Sequence, residues 1–179
     1  MVDQGAARTW TMRAAFVLIC LVIVFFHLLP LETTPRRWAA PDLIVALCFA
    51  WALRRPDYVP TFAVAGVMLL ADLVFQRPPG LWAALVVLAV EWLKSRERRH
   101  RDNTFVLEWI TVAGCLLAIT LVYRLILLLL IVAPGTMFLT LIQYVMTLAF
   151  YPVVVVLSHL IFGVRRSTPG EVDRLGHSL

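Results

Sequence analysis

The eighteen residues from Ala14 to Leu31 hold no Lys, Arg, Asp or Glu, and the twenty-six from Met137 to Phe162 hold none either. A helix needs about 20 mainly apolar residues to cross a hydrocarbon core of about 30 Å, so runs like these predict membrane-spanning helices. Composition agrees. The 179-residue chain is 61% hydrophobic and 15% charged, against about 45–50% and about 25% in soluble domains. That leaves too little polar surface to cover a particle in water, and lipid must be the solvent for much of it.

Six apolar segments are predicted, at residues 12–31, 42–54, 58–75, 80–93, 105–132 and 137–162. Breakers stand where helices should end: Pro30 and Pro35–Pro41, Arg54-Arg55-Pro56, Pro78-Pro79-Gly80, the charged run Lys94–Asp102, and Pro134-Gly135. The first run is too long for the apolar core of a secretory signal and lacks a small-x-small cleavage site, so it reads as a retained first helix. The expected fold is an all-α membrane protein, a compact polytopic bundle of six transmembrane helices in one domain, 1–166. A polar tail, 167–179, follows.

Lys and Arg are retained on the cytoplasmic side of a membrane. With the amino terminus inside, the inner segments hold 12 of the 16 cations, the outer loops hold Arg36, Arg37 and Arg77, and Arg124 lies within a helix. This predicts both termini in the cytoplasm. The second segment strains the scheme, because the 12 residues Asp42–Leu53 make only about 18 Å of helix. It either borrows Trp38, Arg54 and Arg55 at the interfaces or re-enters. The fifth has the opposite problem: 28 residues make about 42 Å and must tilt or protrude.

Ionisable residues at membrane depth are costly and need a reason. Asp72 and Arg124 fall at comparable depth, which predicts a pair that either fixes packing or forms a ligand or partner site. Asp42 follows Pro41 and Asp57 follows Pro56, both positions suited to helix caps or first-turn acids. Glu91 and Glu108 sit beside the basic loop and are read as snorkelling or pairing with nearby Arg. His27 and His159 fall near opposite faces and cannot share a metal.

The basic run Lys94, Arg96, Arg98, Arg99 and Arg101 is the strongest electrostatic feature. It reads as a topology anchor, a contact for anionic lipids at about 1 kcal/mol per cation, or a dock for an acidic cytoplasmic partner. Nucleic acid is not expected, since the run has no interleaved aromatics. Cys20, Cys48 and Cys115 lie in separate apolar runs with no CxxC, and read as small apolar fillers. No HExxH, GxSxG or P-loop occurs, and no paired acids suggest a metal site. The chain is therefore expected to be non-enzymatic and to need no cofactor. Small residues at helical spacing, Ala46/Ala50 and Gly114/Ala118, predict that the second and fifth helices face other helices.

Three stretches carry something more specific: Trp38-Ala-Ala-Pro-Asp-Leu43, Ala50-Trp-Ala-Leu-Arg-Arg-Pro-Asp-Tyr-Val-Pro60, and Leu70-Ala-Asp-Leu-Val-Phe-Gln-Arg-Pro-Pro-Gly-Leu-Trp82. They resemble the MreD family of rod shape-determining membrane proteins. That pattern has Pro-Asp-Leu opening the second helix, an Arg-Arg-Pro turn, and an Asp near the end of the third helix followed by Pro-Gly-Leu. Here Pro41, Asp42, Leu43, Pro56, Asp72, Pro79, Gly80 and Leu81 match, over about residues 38–93; the last two helices match in general character only. The resemblance implies a scaffold of the elongation machinery in the bacterial inner membrane. Such a scaffold binds the single-span protein MreC, and through it connects MreB with RodA and its partner transpeptidase for lateral peptidoglycan synthesis. It also implies a bundle similar to the substrate-binding subunits of energy-coupling-factor vitamin transporters. Asp42, Asp72, Arg77 and Arg124 are then the expected docking or structural residues. The alternative is a transporter subunit that binds a small molecule in the outer half of the bundle.

Overall fold

A computed structural model describes residues 2–28, 39–99 and 104–164, with the backbone alone described for residues 2–5 and 97–99. The described residues are all-helical: α1 (Val2–Leu28), α2 (Leu43–Arg54), a 3-10 turn (Pro56–Tyr58), α3 (Thr61–Val74), α4 (Leu81–Arg99), α5 (Phe105–Leu129) and α6 (Met137–Phe162). Three stretches, Ala6–Leu28, Phe105–Leu129 and Met137–Phe162, are long and apolar enough to cross a membrane. Arg36, Arg37, Arg101 and the tail 167–179 lie outside the described residues.

The short second segment is the centre of the bundle. Ten of the twelve residues of α2 are buried, against α6, α4, α1 and the 3-10 turn. A helix enclosed by other helices need not match the thickness of the hydrocarbon, because protein and not lipid lies at its ends. Trp51 is its anchor: fully buried, with ring centroids of Phe16 and Phe162 at 5.6 Å and Tyr58 at 6.4 Å. Ala46 and Ala50 are buried as expected of a helix-facing pair, and Cys20 of α1 and Cys48 of α2 are both buried free thiols.

Around this core the helices bury one stripe each and turn the rest outward. α1 buries Phe16, Cys20 and Val24; α6 buries Thr147, Tyr151, Val155 and Ser158. Both follow the helical repeat. The outer faces are apolar, with Leu18, Phe25, Leu117, Leu125, Leu141 and Leu160 all exposed, which is the surface that lipid covers. Gly114 and Ala118 belong to this outer face of α5, contrary to the expectation that they pack on a neighbouring helix. A Cβ placed on Gly114 would meet nothing within 4 Å. α5 instead contacts α4 and α6 through Glu108, Val112, Leu116 and Ile119.

Boundaries shift where local backbone intervenes. α5 stops at Leu129, three residues short of expectation, because Ile131 takes a left-handed φ of 57° and Val132 N–H turns back to Leu127 O at 2.9 Å. α4 runs on through Arg99, so the start of the basic run is helix and not loop. α6 carries Pro152 in its interior, which cannot donate to Leu148 O. Trp109 of α5 donates its indole N–H to that carbonyl at 3.0 Å, satisfying a group that lipid could not.

Candidate functional site

At one end of the bundle the N-termini of α2 and α4 meet the C-terminal ends of α3 and α5 and the first turns of α6. The first helical N–H groups of any helix lack intrahelical partners, and at this end two aspartates supply them. Asp42 caps α2, its Oδ1 accepting from Val45 N–H at 3.2 Å, while its own N–H donates to Thr147 Oγ1 on α6 at 2.9 Å. Asp72 acts at a distance. From the last turn of α3 its Oδ2 accepts from Gly80 N–H at 3.1 Å and Ala83 N–H at 3.0 Å, closing the N-terminus of α4.

The Pro78-Pro79-Gly80 reversal makes that reach possible. Gly80 holds φ at 84°, a conformation that costs an L-residue about 1–2 kcal/mol. Arg77 N–H returns to Asp72 O at 3.0 Å. The Arg77 guanidinium then lies over the rings of Phe75 at 5.2 Å and Trp82 at 5.4 Å, and Nη1 reaches Asp42 Oδ2 at 3.5 Å. Asp42, Asp72 and Arg77 are thereby brought into one junction.

Arg124 does not join Asp72. Its Nη1 donates to Gly135 O at 3.0 Å and Thr140 Oγ1 at 2.7 Å, tying the end of α5 to the start of α6. The expected Asp72–Arg124 pair is corrected on that ground: Asp72 Oδ2 turns to the N–H groups of Gly80 and Ala83, and Arg124 turns to the Gly135 carbonyl and the Thr140 hydroxyl. Arg124 nevertheless shares a cavity of about 100 Å³ with Asp42, Arg77, Trp82, Thr120, Tyr123 and Gln143, among others. Among the described residues Trp82 Nε1, buried in the lining, has no hydrogen-bond partner, and Asp42 Oδ2 has none beyond its 3.5 Å ion pair with Arg77. A buried polar group left unsatisfied costs about 1–3 kcal/mol.

The opposite end is held by side chains. Glu108 of α5 is 2% exposed; its carboxylate accepts from Tyr151 Oη of α6 at 2.6 Å and from Arg54 Nη2 of α2 at 3.2 Å. Next to it Trp51 Nε1 donates to Ser158 Oγ at 2.9 Å. Pairing of Glu108 with Arg was expected, but not its burial, its link to Tyr151 or its place among three helices. One signal could have found it. In the inner half of a largely apolar helix, the one acid marks the face turned inward.

The basic run is less free than its sequence suggests. Lys94 is buried and bonds Glu91 Oε1 at 2.7 Å, where Thr61 Oγ1 also donates at 2.6 Å. Arg96 lies over the Trp92 ring at 5.4 Å. Arg98 and Arg99 fall in the last turn of α4, and Arg101 lies outside the described residues. Asp57 is the first-turn acid of the 3-10 helix that Pro56 opens, and its backbone O accepts from Arg13 Nε at 2.8 Å; it does not cap α3, where Pro60 occupies that position. His27 stacks near Phe75 at the Asp42 end, while His159 stands in the last turn of α6 at the other.

Comparison with protein-family models, with curated proteins and with solved structures finds no match to this chain.

Proposed function

We propose that the chain is a non-enzymatic scaffold of the MreD kind, a six-span bundle in the bacterial inner membrane with both termini cytoplasmic. In this reading it binds the transmembrane helix of MreC and so supports rod shape and lateral wall synthesis with MreB, RodA and the partner transpeptidase. The observation that carries the reading is the junction at the Asp42 end. Of the residues behind the family resemblance, Asp42, Asp72 and Gly80 meet there, joined by Arg77, while Pro56 lies in the 3-10 turn at the other end. A motif that builds one rigid corner from distant positions suits a surface that a partner helix must recognise in a fixed shape. The topology is supported by the alternation of helix ends, since the start of α1 and the end of α6 lie at the Glu108 end, together with the inner bias of Lys and Arg.

Affinity purification of the full chain from membranes co-expressing MreC tests this. Asp72→Ala is expected to reduce MreC recovery more than Glu108→Ala, although the second variant destabilises the bundle more. Equal recovery in wild type and Asp72→Ala would remove the docking role from this corner. Loss that merely follows stability in both variants would do the same. A transport-subunit reading rests on the cavity beside Arg124; recovery of an ATPase-coupled transporter in place of MreC would replace the scaffold.

A further inference from the structure

The cavity at the Asp42 end has a chemical composition that the scaffold does not use. Its walls come from the α2 cap, the α3–α4 turn, α4, α5 and α6. Two guanidiniums, Arg77 and Arg124, and one carboxylate, Asp42, line it, with the Asp72 carboxylate close behind Arg77. Asp42 and Trp82 are 8% and 7% exposed; among the described residues the carboxylate oxygen Oδ2 meets only the Arg77 guanidinium, in a 3.5 Å ion pair without a hydrogen bond, and the indole N–H donates to nothing. The indole needs an acceptor, and the carboxylate oxygen has room for a donor closer than Arg77. Thr120, Tyr123, Gln143 and Tyr144 add further polar groups to the lining.

Depth narrows the occupant. α5 and α6, which form one side of the cavity, are two of the three helices apolar enough to cross a membrane. Arg124 stands five residues before the end of α5, within about 8 Å of that end at about 1.5 Å per residue. That is where lipid headgroups border the hydrocarbon. Guanidinium groups bind phosphate through charge-assisted, geometrically matched hydrogen bonds, and a carboxylate oxygen held only by a 3.5 Å ion pair can take an ammonium once a phosphate draws Arg77 to itself.

We infer that this cavity binds a phosphate ester bearing an ammonium group, of the phosphoethanolamine type. Its phosphate lies against Arg124, Arg77 and the Trp82 N–H, and its ammonium lies at Asp42 Oδ2. The same headgroup could arrive on a phospholipid or as a free phosphorylated amine. The assignment does not depend on MreC binding, so either can fail alone.

Native mass spectrometry of the detergent-purified full chain supplies the test, with phosphatidylethanolamine and phosphatidylglycerol of matched acyl chains as probes. Preferential retention of phosphatidylethanolamine is expected, reduced about tenfold by Arg124→Gln and by Trp82→Phe. Trp82→Phe is the sharper variant, because it keeps an aromatic ring and removes an N–H that has no partner among the described residues. Asp42→Asn preserves a carbonyl for the α2 cap and should abolish the preference over phosphatidylglycerol. Thermal protection by free O-phosphoethanolamine would support the headgroup chemistry with a soluble source; protection by the lipid alone would support it with a membrane source. Equal retention of both lipids, retention unchanged by Trp82→Phe and Arg124→Gln, or no retention of either would overturn the assignment.

Discussion

At the Asp42 end, carboxylates are taken up by backbone N–H groups; at the Glu108 end, the carboxylate meets an Arg and a Tyr from other helices. The first arrangement closes helix termini and depends on turns a few residues long. The second ties three helices together across 54 and 43 positions of sequence. Both keep charge from facing lipid, where each ion would be costly. Asp72 and Glu108 differ in what their loss exposes: uncapped N–H groups in the first case, and a buried charge without its counter-ion in the second.

The largest effect is therefore expected from Glu108→Ala. It leaves Arg54, whose side chain is 12% exposed, without its carboxylate, and breaking a buried pair costs about 3–5 kcal/mol. Thermal unfolding in detergent should register that loss, with Glu108→Gln intermediate because the amide still accepts from Tyr151. Asp72→Ala should cost about 2 kcal/mol, since two α4 N–H groups lose their acceptor. Asp72→Asn should recover more than half of it. If Asp72→Ala proved the more damaging of the two, the contrast between the ends would be reversed.

Smaller substitutions sharpen the same contrast. Gly80→Ala should cost about 1 kcal/mol through backbone alone, because the new Cβ would meet only Leu69 Cδ1 at 3.9 Å. Ser158→Ala, which strands the Trp51 indole N–H, should cost about 0.6–1 kcal/mol, in the range of hydrogen bonds between membrane helices. The double variant Glu108→Ala with Asp72→Ala should be additive within about 0.5 kcal/mol, because the two sites share no partner. Strong coupling in that cycle, measured by the same unfolding assay, would mean that the ends are not independent.

The two ends also differed in how far sequence could reach them. Asp42 after Pro41 announces a cap, and its role follows from local chemistry. Asp72 was recognisable as a membrane-depth acid, but its partner was misassigned to Arg124. The cause is the left-handed Gly80 turn, which folds the α4 N-terminus back onto Asp72, a geometry that depth along a helix does not contain. The helices themselves were legible from length and apolarity, and the central burial of α2 was not. An all-apolar helix carries no stripe to distinguish a protein-facing side from a lipid-facing one. The polar residues do carry it: Glu108 on α5 and Thr147, Tyr151 and Ser158 on α6 lie on the buried faces. Gly114 and Ala118 misled for the converse reason, as small residues at helical spacing occur on lipid-facing surfaces too.

The account rests on a membrane bundle built around an enclosed α2, and lipid-phase photolabelling tests this most directly. A diazirine probe dissolved in the bilayer, followed by peptide mapping, should modify the outward faces of α1, α5 and α6, including the surroundings of Leu18, Leu117 and Leu160. It should leave residues 44–53 unmodified. Labelling of α2 as heavy as that of α5, or no labelling of any helix, would contradict the account.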